Sequence, residues 1–380
     1  MIRPPVYPQL PEPGTPQWRR WWLCLVLLWG ACSASLLVWW PQEQSRQELW
    51  IWQMSLPLVG GVALALRYLG WRIGRHQWAT WVAVHQVAEL RWWQRRALGL
   101  PIEQALLIGP AGDSQTVYRD LMAYAPVPRP VLLPGIERPV LPCPLAVALV
   151  TPAQRATALA TQLAQLTLAL DGLAERWPHL RGVAWAGDPA GEPSFVQALT
   201  AGGATLPTAR VPLGNLADLD ALIDGFYAHC RHEADWVLCA GVMPVHSGDE
   251  SGMPGGEAGF VWLVGWHGKQ LLHRGDCLPD ACDDLAAELC ANMQRSAGLD
   301  AAPPTCLAMD VASQQAFVAS GWPVQPHLLG AHWGALGALA PFIGMSLALL
   351  QAQTGQPCGW LAEDGEQRLT IGMAVPYDIG

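Results

Sequence analysis

The sequence predicts an α/β layered domain preceded by a pair of membrane-crossing helices. Three observations carry this. Two apolar runs near the N-terminus flank one short polar stretch, a Pro-rich segment begins at residue 126, and strand and helix signals alternate from there to the C-terminus.

The first run, Trp21 to Trp40 (WWLCLVLLWGACSASLLVWW), contains no charged residue. At 1.5 Å per residue, about 20 residues cover a hydrocarbon core of about 30 Å. Trp21 and Trp22 at one end and Trp39 and Trp40 at the other suit the aromatic belts of a bilayer, and Trp50 stands at the start of the second run. That run, Leu49 to Leu66, is expected to form a helix over 49–70. Pro57 and the Gly60-Gly61 pair should bend it, which a membrane helix tolerates. A cleaved signal peptide would have a shorter apolar core, about 7–15 residues, and a small-residue cleavage site. With a second run following, a hairpin is the simpler account.

Arg19 and Arg20 precede the first helix, and Arg67, Arg72 and Arg75 follow the core of the second; the connecting PQEQSRQE holds one Arg and two Glu. The positive-inside bias therefore puts both ends on the cytoplasmic side of a bacterial inner membrane. The expected organisation is a cytoplasmic tail (1–20), a hairpin (21–72), a juxtamembrane helix with a small α/β segment (73–125), a semi-rigid Pro-rich connector (126–144, with seven prolines) and a main domain (145–380). Gln77 to Leu98 combines helical apolar spacing with Arg91, Arg95, Arg96, Trp92 and Trp93. That suits either a helix along the headgroups or one packed on the domain.

Charge divides the chain the same way. The first 100 residues carry ten Arg against four acids; the remaining 280 carry twelve basic and twenty-seven acidic residues, which together give the net −9. A basic front meets anionic lipid, and an acidic body with one lysine, Lys269, excludes a nucleic-acid binder. The ten cysteines have irregular spacing and mostly apolar neighbours, as reduced core thiols would; Cys277 and Cys282 are the one close polar pair. GPAGDS (Gly109 to Ser114) lacks the lysine and glycine spacing of a phosphate loop, so no nucleotide or other cofactor is expected. His229, Cys230 and His232 cannot all face one ion from a single helix, and no metal is expected there. Asp276, Asp280, Asp283 and Asp284 read as a solvated helix cap.

Along the body, ALLIGPAGDSQTVYRDLMAY reads as strand, turn and helix. LAVALV and GVAWAG are strands, and Ala153 to Trp177 and Asn215 to Cys230 are helices, the second capped by Asn215. WVLCAGV, FVWLVGW and KQLLHRG are strands, the last two expected to form a hairpin around His267-Gly268. Asp283 to Ala297 is a helix and TCLAMD a strand. Ala335 to Gln353 reads as a buried core helix rather than a third membrane span, because Pro341 and Gly344 interrupt it and two strands, CGWLAE and RLTIGMAV, follow.

Three of these segments resemble the thiolase-like fold, and within it the β-ketoacyl synthases. GMPGGEAGFVWLV (Gly252 to Val264), preceded by DWVLCAG, is similar to the family's GEGAG strand segment. GAHWGALGALA (Gly330 to Ala340) resembles the TGH-x-x-GAAG turn before a long helix. LPTARVPLGNLADLDALIDGFYAHC (Leu206 to Cys230) stands where the family has TAC and the nucleophile helix. The resemblance implies a layered αβαβα domain from about Leu145 and a dimer. It places Arg210 where the nucleophilic cysteine would stand, and a guanidinium cannot attack. The first family histidine has no counterpart in TCLAMD (Thr305 to Asp310), and His332 alone matches the second. What it implies is a non-catalytic scaffold, with acyl transfer through Cys306 and His332 as the alternative; the membrane hairpin leaves an immunity protein that blocks a toxin at the periplasmic face as a third. Membrane-tethered proteins of this degenerate kind look like those encoded beside type VI secretion effectors, which implies an adaptor whose partner is an effector or its carrier.

Overall fold

A computed structural model describes residues 7–41, 45–115, 117–118, 127–145, 151–208, 210–245, 253–278, 283–309, 321–366 and 368–377. The chain forms two compact units, residues 3–92 and, apart from the first two residues, 93–380.

The smaller unit holds α1 (Trp18–Trp39) and residues 46–92 of α2 (Arg46–Ala97), and both helices are long and apolar enough to cross a membrane. They pack where Gly60 leaves room for Leu25, and the Trp29 indole donates to the Gln53 carbonyl at 3.0 Å. Trp21, Trp22, Trp39 and Trp50 are exposed. The second helix differs from expectation: it runs unbroken for 52 residues, through Pro57 and through the segment expected to form a separate juxtamembrane helix. Residues 66–77 hold no proline, and Gly70 and Gly74 are tolerated inside the helix.

The larger unit is built on an eleven-stranded sheet. Its strands are β1 (Leu100–Ile108), β3 (Leu180–Gly187), β4 (Arg210–Pro212), β5 (Trp236–Met243), β7 (Ala258–Gly265), β8 (Gln270–Leu272), β9 (Asp276–Leu278), β10 (Thr305–Ala308), β11 (Val324–Leu328), β12 (Cys358–Glu363) and β13 (Leu369–Pro376); β2 (Val140–Leu141) and β6 (Gly255–Gly256) pair separately. From the middle outward, one half reads β1-β7-β5-β3-β4 and the other β8-β13-β12-β10-β11. With β9 set aside as a branch paired to β13, each half has its first strand at the centre, then its last, fourth, second and third. In each, the last strand is antiparallel to its neighbours. The two halves are one topology used twice, joined where β1 and β8 pair antiparallel.

The helices are α3 (Pro152–Leu168), α4 (Gly191–Ala201), α5 (Leu216–His229), α6 (Asp283–Ser296), α7 (Leu329–Trp333) and α8 (Ala340–Ala352). Alternating strand residues sort three cores. Leu238, Ala240, Val261 and Leu263 face α3 and α4. Val237, Cys239, Phe260 and Trp262 face a central layer with α5 and α8, and Ile371 and Met373 face outward with α6. The layers are therefore α3/α4, sheet, α5/α8, sheet, α6. As expected, α8 is a core helix: eleven of its thirteen residues are buried, and Ser346 accepts from the Trp262 indole at 2.8 Å.

Four expectations change. β1 lies at the centre of the sheet, so the domain begins near Trp93 and not at Leu145, while residues 146–150 of the expected LAVALV strand lie outside the described residues. The connector is part of the domain, since Val131 bridges Val140 and β2 pairs with β6. β7 and β8 form no hairpin, because β1 stands between them. The linking turn crosses β1 at Gly268, where a Cβ would lie 2.6 Å from Ile102 N. Finally, Asp276 is no solvated cap: it is buried on β9 and accepts from Arg96 of α2 at 3.2 and 2.5 Å. Arg274 fixes the same helix end by donating to the Arg95 carbonyl at 3.1 Å.

Candidate functional site

The tip of α5 is where a nucleophile would gain most from a helix dipole and free backbone amides. Leu213, Gly214 and Asn215 lead into it. Asn215 is extended (φ −156°), and its side chain accepts from the Asp218 amide at 3.0 Å. The Asp218 carboxylate in turn accepts from the Gly214 amide at 2.8 Å. The Gly214 and Asp218 amides are therefore occupied by the helix's own first turn, and no cysteine stands among these residues.

Arg210, which the resemblance sets at the nucleophile position, is the first residue of the edge strand β4. It donates to the Pro207 carbonyl at 2.6 Å and pairs with Glu192 at 3.2 Å.

The other two family-like segments are brought together. α7 carries His332 and Trp333, both buried, and Trp333 stacks on Tyr118 at 4.9 Å. The turn after α7 pairs with the glycine segment: the Gly256 amide donates to Ala335 at 2.9 Å, and Ala335 donates to Pro254 at 2.9 Å. Gly256 must lack a Cβ, which would fall 2.1 Å from the Trp333 carbonyl.

Next in sequence, Glu257 is fully buried and accepts two hydrogen bonds from Arg155 of α3, at 2.7 and 2.6 Å, and one from the Cys143 amide at 2.7 Å. The hydrogen bond to this carboxylate raises the Arg155 pKa further. Arg155 also donates to the Cys143 carbonyl at 3.2 Å. The motif's carboxylate is thus fully engaged in pinning the connector to α3 and β7.

Cys306 lies on β10 among Cys290, Trp322 and Met373, whereas the neighbours of His332 pack in the central core. Burial pushes the Cys306 thiol well above its ordinary value, which disfavours a thiolate. The described cysteines are all free. Among the described residues, no three His, Cys, Asp or Glu side chains converge as a metal site would require.

No family model matches this sequence, and no curated protein is similar to it. Solved structures are. The ishigamide ketosynthase/chain length factor aligns with a TM-score of 0.50 at 14% identity, covering 74% of this chain and 100% of that one. 3-Oxoacyl-[acyl-carrier-protein] synthase III from Aquifex aeolicus VF5 aligns with a TM-score of 0.46 at 16% identity, covering 73% and 100%. HMG-CoA synthase complexed with CoA aligns with a TM-score of 0.44 at 11% identity, covering 74% and 83%. Identity this low speaks for architecture alone. With the doubled strand order and the five layers, it gives about three quarters of this chain a thiolase-like fold.

Proposed function

We propose that this protein is a membrane-anchored, non-catalytic scaffold of thiolase-like fold that holds a protein partner at the cytoplasmic face of a bacterial inner membrane. The partner is a type VI secretion effector or its carrier. The observation that supports the non-catalytic part is the α5 tip, where no thiol is present and the Gly214 and Asp218 amides are taken by Asp218 and Asn215. Anchoring is supported by two helices of spanning length with exposed tryptophans, and orientation by the arginines at 19, 20, 67, 72 and 75. The effector assignment rests on the resemblance described for the sequence.

The decisive test exposes the solubilised full chain to a reactive acyl-CoA or acyl-carrier analogue. All ten cysteines should stay unmodified, and stoichiometric acylation of one, Cys306 above all, would return the chain to acyl transfer. Crosslinking in cells, followed by identification of the captured protein, tests the partner. Failure to recover an effector or its carrier removes the secretion role while leaving the fold and the anchor untouched.

A further inference from the structure

β1 departs from a regular ladder at one place. Ile102 pairs with Val264 and Gln104 with Leu263, so Glu103 is an extra residue, a bulge in the strand at the centre of the sheet. A bulge leaves its residue unpaired and re-aims side chains, and such features gather beside binding sites. Here both polar residues of an otherwise apolar strand, Glu103 and Gln104, line one cavity of about 250 Å³. Asp171 and Leu173, just past the C-terminal end of α3, line it too, with Arg176 and Leu263.

Glu103 is built into this place. Its side chain is 11% exposed, and one oxygen accepts from Arg176 at 2.6 Å. The other oxygen, Oε1, is buried and has no donor among the described residues. It lies over Gly265, where a Cβ would come within 2.1 Å of it. A buried acceptor left without a donor carries a desolvation penalty that a ligand's N–H groups would relieve. Arg176 cannot neutralise the cavity alone, because two carboxylates and the negative end of the α3 dipole oppose one guanidinium, which also stands 5.5 Å from the Trp236 ring.

We infer that this cavity binds a primary ammonium or guanidinium group on an aliphatic stem, the head held by Glu103 and Asp171 and the stem lying on Leu173 and Leu263. The assignment is independent of the scaffold reading. Two sources offer this chemistry: a free small amine, or a lysine or arginine side chain of a bound protein.

Calorimetric titration of the detergent-solubilised full chain at low ionic strength tests it. The probes are n-butylammonium, agmatine and the blocked peptide acetyl-Ala-Lys-Ala-amide, with acetate as the anionic control. At least one cationic probe should bind and acetate should not. A tighter peptide points to a protein side chain, and tighter free amines point to a metabolite. Glu103→Gln should weaken binding at least about tenfold, and Asp171→Asn, at an exposed position that leaves folding alone, should weaken it in the same direction. Silence from every cation, equal binding by acetate, or undiminished binding in both variants would overturn the inference.

Discussion

Arg155 and Glu257, 102 residues apart in sequence, meet through two hydrogen bonds where both side chains are buried. The pair joins α3 to the start of β7, and Cys143 ties the connector to both. Arg155→Met should therefore cost about 3–5 kcal/mol, because it strands a buried charge. Arg155→Met combined with Glu257→Leu should recover much of the loss, short of the roughly 1–3 kcal/mol for the Cys143 amide left without an acceptor. Urea unfolding followed by tryptophan fluorescence measures both. A double variant as unstable as the single one would show that the carboxylate itself is needed.

His273 gives the domain a pH dependence. Burial, with Arg96 beside it, lowers its pKa from 6.5 to about 4, so between those values the unfolded chain binds the extra proton. Stability from this group is complete above about pH 6.5 and is lost as pH falls through about 4, by at most about 3 kcal/mol. His273→Phe should flatten that part of the stability profile. An unchanged slope would place the titration elsewhere.

Gly256→Ala should be among the most damaging single-atom additions. Its Cβ meets the Trp333 carbonyl, a backbone atom that cannot rotate away. The expected loss is about 1–3 kcal/mol or more, read as a lower midpoint of thermal unfolding.

At the α5 tip, Asn215→Ala removes a cap and should cost about 1 kcal/mol. Arg210→Ala removes a partly exposed pair with Glu192 and an exposed hydrogen bond to the Pro207 carbonyl, and should stay within about 0.5 kcal/mol. Reversal of that order in denaturant titrations would mean that Arg210 holds more than the edge strand.

A chain beginning at Trp93 keeps Arg95 and Arg96, and with them the contacts to Asp224 and Asp276. It should fold and appear in the soluble fraction after cell lysis, whereas the full chain pellets with membranes. A full chain that stays soluble would remove the anchor.

The sequence was most informative where one residue pattern meets one solvent. The apolar runs near the N-terminus announced two spanning-length helices, because length and absence of charge are properties of the run itself. Strand and helix periodicity gave the α/β class, and the Asn215 cap and the buried nature of α8 followed from local chemistry. Three short segments carried the fold resemblance, and two of them, around Gly256 and His332, do meet.

What the tertiary structure alone decided depends on residues far apart in the chain. β1 could not be assigned to the middle of the sheet, because the strands beside it begin more than 150 residues later. The absence of a β7–β8 hairpin, the burial of Asp276 against Arg96 and the engagement of Glu257 by Arg155 have the same origin. Apolar patterning specifies which side of a strand is buried, but not which strand lies beside it, nor which charge faces a carboxylate once water has been excluded.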